Sequence, residues 1–340
     1  MDIEFHYYIL HLIAARAGFR GDDLRILAYS SQHTDDNDQS YKIKMGRNWF
    51  YSNRISQTMD ILKPQEDRLR IYPLFHFIPG DPHVESARRA DGLTRACNTT
   101  PDSPLANRIM DESLRTGDLY RIGIACHAYA DTWAHQNFVG YRDAFNAFTG
   151  VLNAIIPNIG HADAKHKPDW PAPVWDDTRL RNRQVANKPR FLDAAGRLFD
   201  KLRGYADPSA GEAASAADRA ALVADLDQAI GDRDDTNSRQ ESRVLRYQEL
   251  AVSERFGQAA IPAYDEKAWF DACVDCEIRS APQAVGKVRH FKRRYAFKGL
   301  YRQADWFRFQ EAVKAHAEQA ESILEQPLAQ ARQWSGLTSV

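Results

Sequence analysis

The chain has 340 residues, 44% of them hydrophobic and 27% charged, so it is long enough to bury a large core and has an ordinary globular composition. Its 45 Lys+Arg and 46 Asp+Glu leave a net charge of −1, which excludes a general electrostatic affinity for nucleic acid or anionic membranes and leaves room only for local patches. Four cysteines (Cys97, Cys126, Cys273 and Cys276) are too few for a disulfide scaffold in a chain of this size.

Helical periodicity dominates from the first residues. In "MDIEFHYYILHLIAARAGF" two acids come early, and His6 and His11 interrupt the apolar residues. This reads as a first helix with Phe5, Ile9, Leu12 and Ile13 as its stripe, not as a secretory leader. No run of about 18 apolar residues exists, so no transmembrane helix is expected and the cytoplasm is the default location. A loop rich in Asp and Asn follows at 30–40, "SSQHTDDNDQS". "RIYPLFHFIPG" is the best strand candidate, and it runs into a second loop at 76–83. Leu105, Ile109, Leu114, Leu119, Ile122 and Ile124 lead into "IACHAYADTWAHQNFV". The segment 156–177 is a proline-rich loop carrying His161 and His166.

Beyond it, Leu192, Leu198, Phe199 and Leu202 form another helical stripe. The Ala/Asp-rich stretch 205–239 reads as a solvated helical insertion. Leu245, Leu250, Val252 and Phe256 follow, then "AWFDACVDCEIRS", which reads as a helix carrying a lone CxxC. Residues 287–303 alternate basic and aromatic side chains, either as a solvated face or as a phosphate contact, and 305–334 is rich in helix formers. The expectation is a mostly α fold, with residues 1–340 forming a single multi-helix, bundle-like domain with long ligand-bearing loops. Residues 1–180 are its metal-site half and 240–340 its C-terminal helical half.

Chemistry concentrates in the N-terminal half. His127, Asp131 and His135 are spaced by four. That spacing advances about 40° per step on a helix, so all three share one face. Imidazole and carboxylate are donors that zinc takes, and iron or manganese accepts them too. Nine of the 11 histidines lie in the first 166 residues, several beside carboxylates: His33 near Asp35 and Asp36, His76 near Asp81, His161 near Asp163, and His166 near Asp169. Ligand-rich loops around a ligand-bearing helix are what a multinuclear site needs. On spacing alone, a hydrogen-bonded His–Asp–His row on an ordinary helix is an equal reading.

"HAYADTWAHQNF" resembles the central motif of the zinc-dependent phospholipases C, which share a superfamily with zinc-dependent single-strand nucleases; the matching positions are His127, Asp131, His135, Asn137 and Phe138. Gly160-His161 matches that family's downstream Gly-His, and His6, Asp35 or Asp36, and His76 follow the order of its upstream ligands. The chain also resembles a little-characterised bacterial branch of the same design. The resemblance covers roughly residues 1–180 and implies a metal set of His6, Asp36, His76, His127, Asp131, His135, His161 and His166. Asp36, with Asp35 as the alternative, would orient the attacking water, and Asn137 would support a ligand. It further implies two or three zinc-type ions and hydrolysis of a small-molecule or lipid-like phosphoester.

Three departures stand out, the first being the gap of four from Asp131 to His135, where that family has a longer one containing a proline. The family's Glu four residues after Gly-His is Lys165 here, so Asp163, His166 or Asp169 would have to replace it, with His166 preferred. The family's N-terminal amine ligand would have to come from Met1 or Asp2. An amide hydrolase using the same site, or a metal-binding helical protein without hydrolysis, are the rival expectations. No stable nucleic-acid partner is expected. Tyr129, Trp133, Trp49, Phe50 and Tyr51 are expected to wall the pocket.

Overall fold

The first helical turn, Glu4–Ile9, is wound as a π-helix and passes without a break into α1 (Leu10–Ala17), which stops at Gly18, φ 119°. The computed structural model describes residues 1–58, 65–148, 160–280 and 291–337; positions 156–159 of the proline-rich loop and 287–290 of the basic stretch lie outside them. Helix α2 (Gly21–Asp36) follows, and short helices α3 (Gln65–Leu69) and α4 (Tyr72–Phe75) lead to α5 (Pro104–Arg115). Ser103 caps α5 by accepting from the Ala106 amide, with Pro104 preset for the first helical position.

At the centre runs α6 (Leu119–Ala134), capped by Asp118, whose carboxylate accepts from the Tyr120 amide. From Ile122 to Ala134 every residue of α6 is buried. Such a helix is covered on all sides, and α2, α5, α7 (Asn187–Ala206) and α11 (Asp305–Ile323) supply the cover. The α2–α6 crossing is the closest-packed point. A Cβ at Gly123 would sit 2.6 Å from Ser30 Cβ and 2.7 Å from the Leu27 carbonyl, so only glycine admits this approach.

Helices α8 (Glu212–Ile230) and α9 (Gln240–Ala251) wrap α7 and the π turn, and α10 (Ala268–Cys273) and α12 (Glu325–Leu337) flank α11. Strand is minor. Strands β1 (Lys42–Lys44), β2 (Phe50–Ser52), β5 (Val274–Ser280) and β6 (Phe291–Phe297) form one sheet in the order β2-β1-β6-β5, with β1 and β6 parallel. Strands β3 (Val174–Asp176) and β4 (Gln184–Ala186) form a separate pair. The chain is mostly α, as its periodicity implies. Among the described residues no helix is long and apolar enough to cross a membrane.

Four local expectations are corrected. The loop expected at 30–40 begins only at Asn37, because α2 runs on through Asp36. "RIYPLFHFIPG" contains α4 and no strand. Pro73 suits a first helical turn, and burial is continuous from Pro73 to Ile78 instead of alternating. "AWFDACVDCEIRS" is half helix and half strand, switching where Val274 and Ile278 favour the extended form. Its cysteines are not a matched pair: Cys273 is buried and Cys276 exposed, both free. Helix α8 is also more than a solvated insertion, because Leu222, Leu226, Ala229 and Ile230 join the main core.

The C-terminal half is tied to the first turn by buried charge. The Arg243 guanidinium donates to both Glu4 carboxylate oxygens at 2.8 Å and to Asp234 Oδ2 at 2.8 Å, and Tyr247 donates to Glu4 at 3.2 Å. Asp234 also accepts from the Arg239 and Ser238 amides, 2.9 and 3.2 Å. Burial pushes the Asp234 carboxyl up, but these amides and Arg243 outweigh it and hold the carboxyl well below the usual carboxylate range. A depressed carboxyl pKa contributes stability above its unfolded value, which is lost as pH falls through the folded one. Asp234→Asn is therefore expected to cost about 1.5–3 kcal/mol near neutral pH. In denaturant titrations the gap from wild type should narrow at acidic pH, below about 3.9, where the wild-type carboxyl is itself increasingly protonated.

Candidate metal centre

Five histidines and three carboxylates converge at one wall of a cleft of about 1330 Å³. They fall into three groups, within each of which the donor atoms lie inside 4.8 Å of one another: His6, His127 and Asp131; Asp35, His76 and His127; and His135, His161 and Asp169. His6 comes from the π turn, Asp35 from the last turn of α2, and His76 from the residue after α4. His127 and Asp131 stand one turn apart on α6, and His135 is the residue that ends it. His161 follows Gly160, where φ is +53° and a Cβ would lie 2.5 Å from the Phe77 ring, so glycine is required on two counts. The ring stacks in the same layer support this layout: His6 on His127 at 3.8 Å and Phe77 on His135 at 4.2 Å between centroids.

His127 belongs to two of these groups, and Asp131, a member of the first, also faces residues of the other two. Asp131 Oδ1 faces His6 Nε2 at 3.1 Å and the buried α-amine of Met1. Its Oδ2 faces His76 Nδ1 at 3.0 Å, His127 Nε2 at 3.2 Å and His135 Nδ1 at 3.5 Å. Asp35 Oδ1 lies 3.7 Å from both His76 Nδ1 and His127 Nε2. Asp169 faces His135 Nε2 and His161 Nε2, each at 3.4 Å, and the Met1 amine at 3.6 Å.

The outer nitrogens fix the tautomers. His76 Nε2 donates to the Ser56 carbonyl at 2.9 Å, His135 Nδ1 to the His76 carbonyl at 2.7 Å, and His161 Nδ1 to the Lys165 carbonyl at 2.8 Å. Each bond leaves the opposite nitrogen bare and facing the carboxylates. That is the arrangement metal-ligating histidines take when a backbone carbonyl orients them. His76 Nδ1 and His127 Nε2 meet at 3.0 Å. Two imidazole nitrogens at that distance, backed by two carboxylates, need a proton or a metal ion to relieve the facing lone pairs. The donor set therefore fits divalent metal, and the residues that would hold it are the three groups above.

Electrostatics divide the histidines: burial opposes the charged His76 imidazole, but the hydrogen bond to Asp131 and the Asp35 and Asp131 charges raise it, whereas His6 and His135 are lowered. Burial, then the neighbouring His127 and the Met1 amine, lower the His6 imidazole to about 3, so it is neutral near pH 7. Burial likewise lowers His135. Burial opposes ionisation of Asp131, yet His135, the Met1 amine and His127 hold its carboxyl well below the usual range. Burial also disfavours the charged Met1 amine, but Asp131, Asp169 and Asp35 raise it to about 10. Neutral imidazoles and ionised carboxylates are the forms that bind metal.

Arg190 secures the end of α6. Its guanidinium donates to the Trp133 carbonyl and, at 3.2 Å, to that of Ala134, so a cation sits on the helix C-terminus just before His135.

Of the residues singled out from the sequence, His6, Asp35, His76, His127, Asp131, His135 and His161 come together. Asp36 and His166 do not join a donor group. The Asp36 carboxylate is turned toward Tyr264, accepting from its hydroxyl at 2.5 Å and from Gln32 at 3.1 Å. His166 stacks on Trp170, 6.1 Å between ring centroids, on the cleft wall. Asp169, one of the three alternatives for that place, is the residue that faces His135 and His161. Asp163 instead accepts from the Phe148 amide. Asn137 supports a loop, not a ligand, donating to the Ser86 carbonyl at 3.0 Å. Tyr129 and Trp133 are buried and bonded to Asp102 and Asp193, while Trp49 and Phe50 are exposed on a hairpin; none of the four lines the cleft. His33, weighed as a ligand or a supporting partner, lies buried among Tyr29, Trp269 and Phe309 and borders the cleft without joining a group. Sequence reading missed Arg190, which carries no motif.

Lys165 holds φ 57°, ψ −135°, a region that side-chain-bearing residues avoid at a cost of about 1–3 kcal/mol. Its contribution to His161 comes through the backbone carbonyl. Lys165→Gly is expected to leave that bond intact and to raise stability by about 1 kcal/mol, read as an increase in the unfolding midpoint. No gain would mean that the Lys165 side chain makes a compensating contact.

No curated protein and no solved structure matches the chain. One family model does, over residues 1–324. The chain thus belongs to DUF6765, a family of unknown function.

Proposed function

We propose that this chain is a metal-dependent hydrolase acting on phosphoesters. The observation that carries the reading is Asp131, a buried carboxylate whose two oxygens serve separate donor groups while a third group lies alongside, all facing one cleft. Neighbouring donor groups that open on one cleft would suit hydrolysis better than storage, which needs no open substrate wall. The resemblance of the His127–Phe138 segment to the zinc-dependent phospholipases C points the same way. Zinc is the first expectation, and the same donors serve iron or manganese.

When bound, such ions supply Lewis acidity, acidifying water and neutralising charge that develops on a substrate oxygen. The chain's own residues do the rest. Ser56, His76 and Lys165 carbonyls orient three imidazoles. Asp35 lies at the cleft surface, a quarter exposed, where it can orient a water and take its proton. Arg142, Lys165, Lys267 and Arg293 line the cleft beside Asp38, Glu266 and Asp271, so single cations are placed to meet a substrate phosphate while the wall as a whole is mixed in charge.

Hydrolysis of a nitrophenyl phosphodiester, compared with a nitroanilide, tests the reading. Phosphoester cleavage is expected to be abolished by a chelator and restored by divalent metal. In His127→Ala and Asp131→Asn the loss should exceed the roughly 10–100-fold typical of removing an outer partner. Cleavage of the anilide alone, or chelator-resistant activity, would refute it.

A further inference from the structure

One face of the mixed sheet lines the cleft through Cys276, Arg293 and Tyr295, and its hairpin end presents a further surface that the proposed chemistry does not use. Strands β1 and β2 alternate strictly: Ile43 and Tyr51 are buried, while Lys42, Lys44 and Phe50 are exposed on the other face. Lys44 pairs with Phe50 and, in parallel register, with Ala296. Side chains two residues apart on a strand share a face, so Arg294 and Lys298 join the same side. The hairpin turn is closed by the Met45 amide donating to the Trp49 carbonyl at 2.9 Å. It holds out Met45, Trp49 and Phe50, which are 44%, 78% and 58% exposed. Because β1 and β6 run parallel, the turn after β6, with Leu300 at 77% exposure, lies at the same end of the sheet.

This end combines aromatic and aliphatic side chains with unusual charge for a chain of net −1. Segment 42–50 contains Lys42, Lys44 and Arg47 and no acid; segment 294–302 contains Arg294, Lys298 and Arg302 and no acid. The acids facing them are on β5, where Glu277 lies across from Arg294 and Asp275 is 3.7 Å from Lys298. Nothing comparable faces Lys42, Lys44 or Arg47 among the described residues. Nor is the hairpin loosely attached: Tyr51 packs on Trp306 and Phe307, and its hydroxyl donates to Glu311 at 2.8 Å. A rigid hairpin that leaves Trp, Phe and Met in water within a ring of cations marks an interaction surface.

We propose that this hairpin end docks on an anionic phospholipid surface. Trp and Phe at the headgroup boundary, an aliphatic tip and flanking Lys and Arg are the components of interfacial membrane binding. A nucleic-acid strand fits less well, because Met45 and Leu300 offer no ring for a base to stack on. A two-fold contact with a second copy would set Lys42, Lys44 and Arg47 against their own counterparts.

The surface contains none of the metal-facing residues, so the test needs no hydrolysis. The full chain is sedimented with vesicles of phosphatidylcholine alone and of equal parts phosphatidylcholine and phosphatidylglycerol. Binding is expected to the anionic vesicles and to weaken with salt. Trp49→Ser/Phe50→Ser should lower the affinity at least about tenfold. Lys42→Gln/Lys44→Gln/Arg47→Gln should lower it by about fivefold per cation. Both variants change exposed side chains and should keep the wild-type melting temperature. The proposal is overturned by binding to neither vesicle, by equal binding of wild type and both variants, by self-association that the Trp49/Phe50 variant abolishes, or by a single-stranded oligonucleotide being bound through these residues in place of vesicles.

Discussion

Everything in the N-terminal half is arranged around the burial of Asp131. A carboxylate removed from water costs several kcal/mol unless charge and hydrogen bonds compensate. Here the charged Met1 amine supplies direct compensation, while His6, His76, His127 and His135 crowd around the same carboxylate. The π turn, α2, the loop after α4 and the end of α6 must all reach one point. Each histidine bends in with its outer nitrogen either tied to a carbonyl or left unpartnered, as at His6 Nδ1 and His127 Nδ1. Such a gathering of imidazoles and carboxylates is a donor set that could hold cations.

The rest of the molecule holds that point still. Gly123 lets α2 approach α6 closely enough for Asp35 to reach His76 and His127. Arg190 caps α6 one residue before His135. Arg243, from α9, grips Glu4 two residues before His6, so a helix far along the chain steadies the first ligand. The core is continuous across both halves, with α11 and α7 residues packed on α6, and the C-terminal half acts on the site through that packing.

Much of this was legible in the sequence because helical spacing is rigid. That His127 and Asp131 share a face follows from 3.6 residues per turn, whereas His161 is picked out by the Gly-His of the phospholipases that the chain resembles. What spacing could not settle was which of two neighbours turns inward. Asp35 and Asp36 differ by about 100° on α2, and the helix rotation that gives Asp35 to the cluster gives Asp36 to Tyr264. In the loop after Gly160, the backbone carries His161 and Asp169 to the cluster and His166 against Trp170, a path set by contacts far away in sequence such as the Asp2 amide donating to the Asp169 carbonyl. Short apolar runs were ambiguous for the usual reason: "YPLFHFI" is buried on all sides, so it has no period to read.

The central claim is that Asp131 joins neighbouring metal sites. Elemental analysis of the purified chain, wild type beside Asp131→Asn, tests it most directly. Two to three divalent ions per chain are predicted for wild type, one for each donor group that fills. The variant should lose the ions of both groups that Asp131 faces and retain at most the one held by His135, His161 and Asp169. A wild-type chain that carries one ion or none, or a variant that keeps the full complement, would contradict the account.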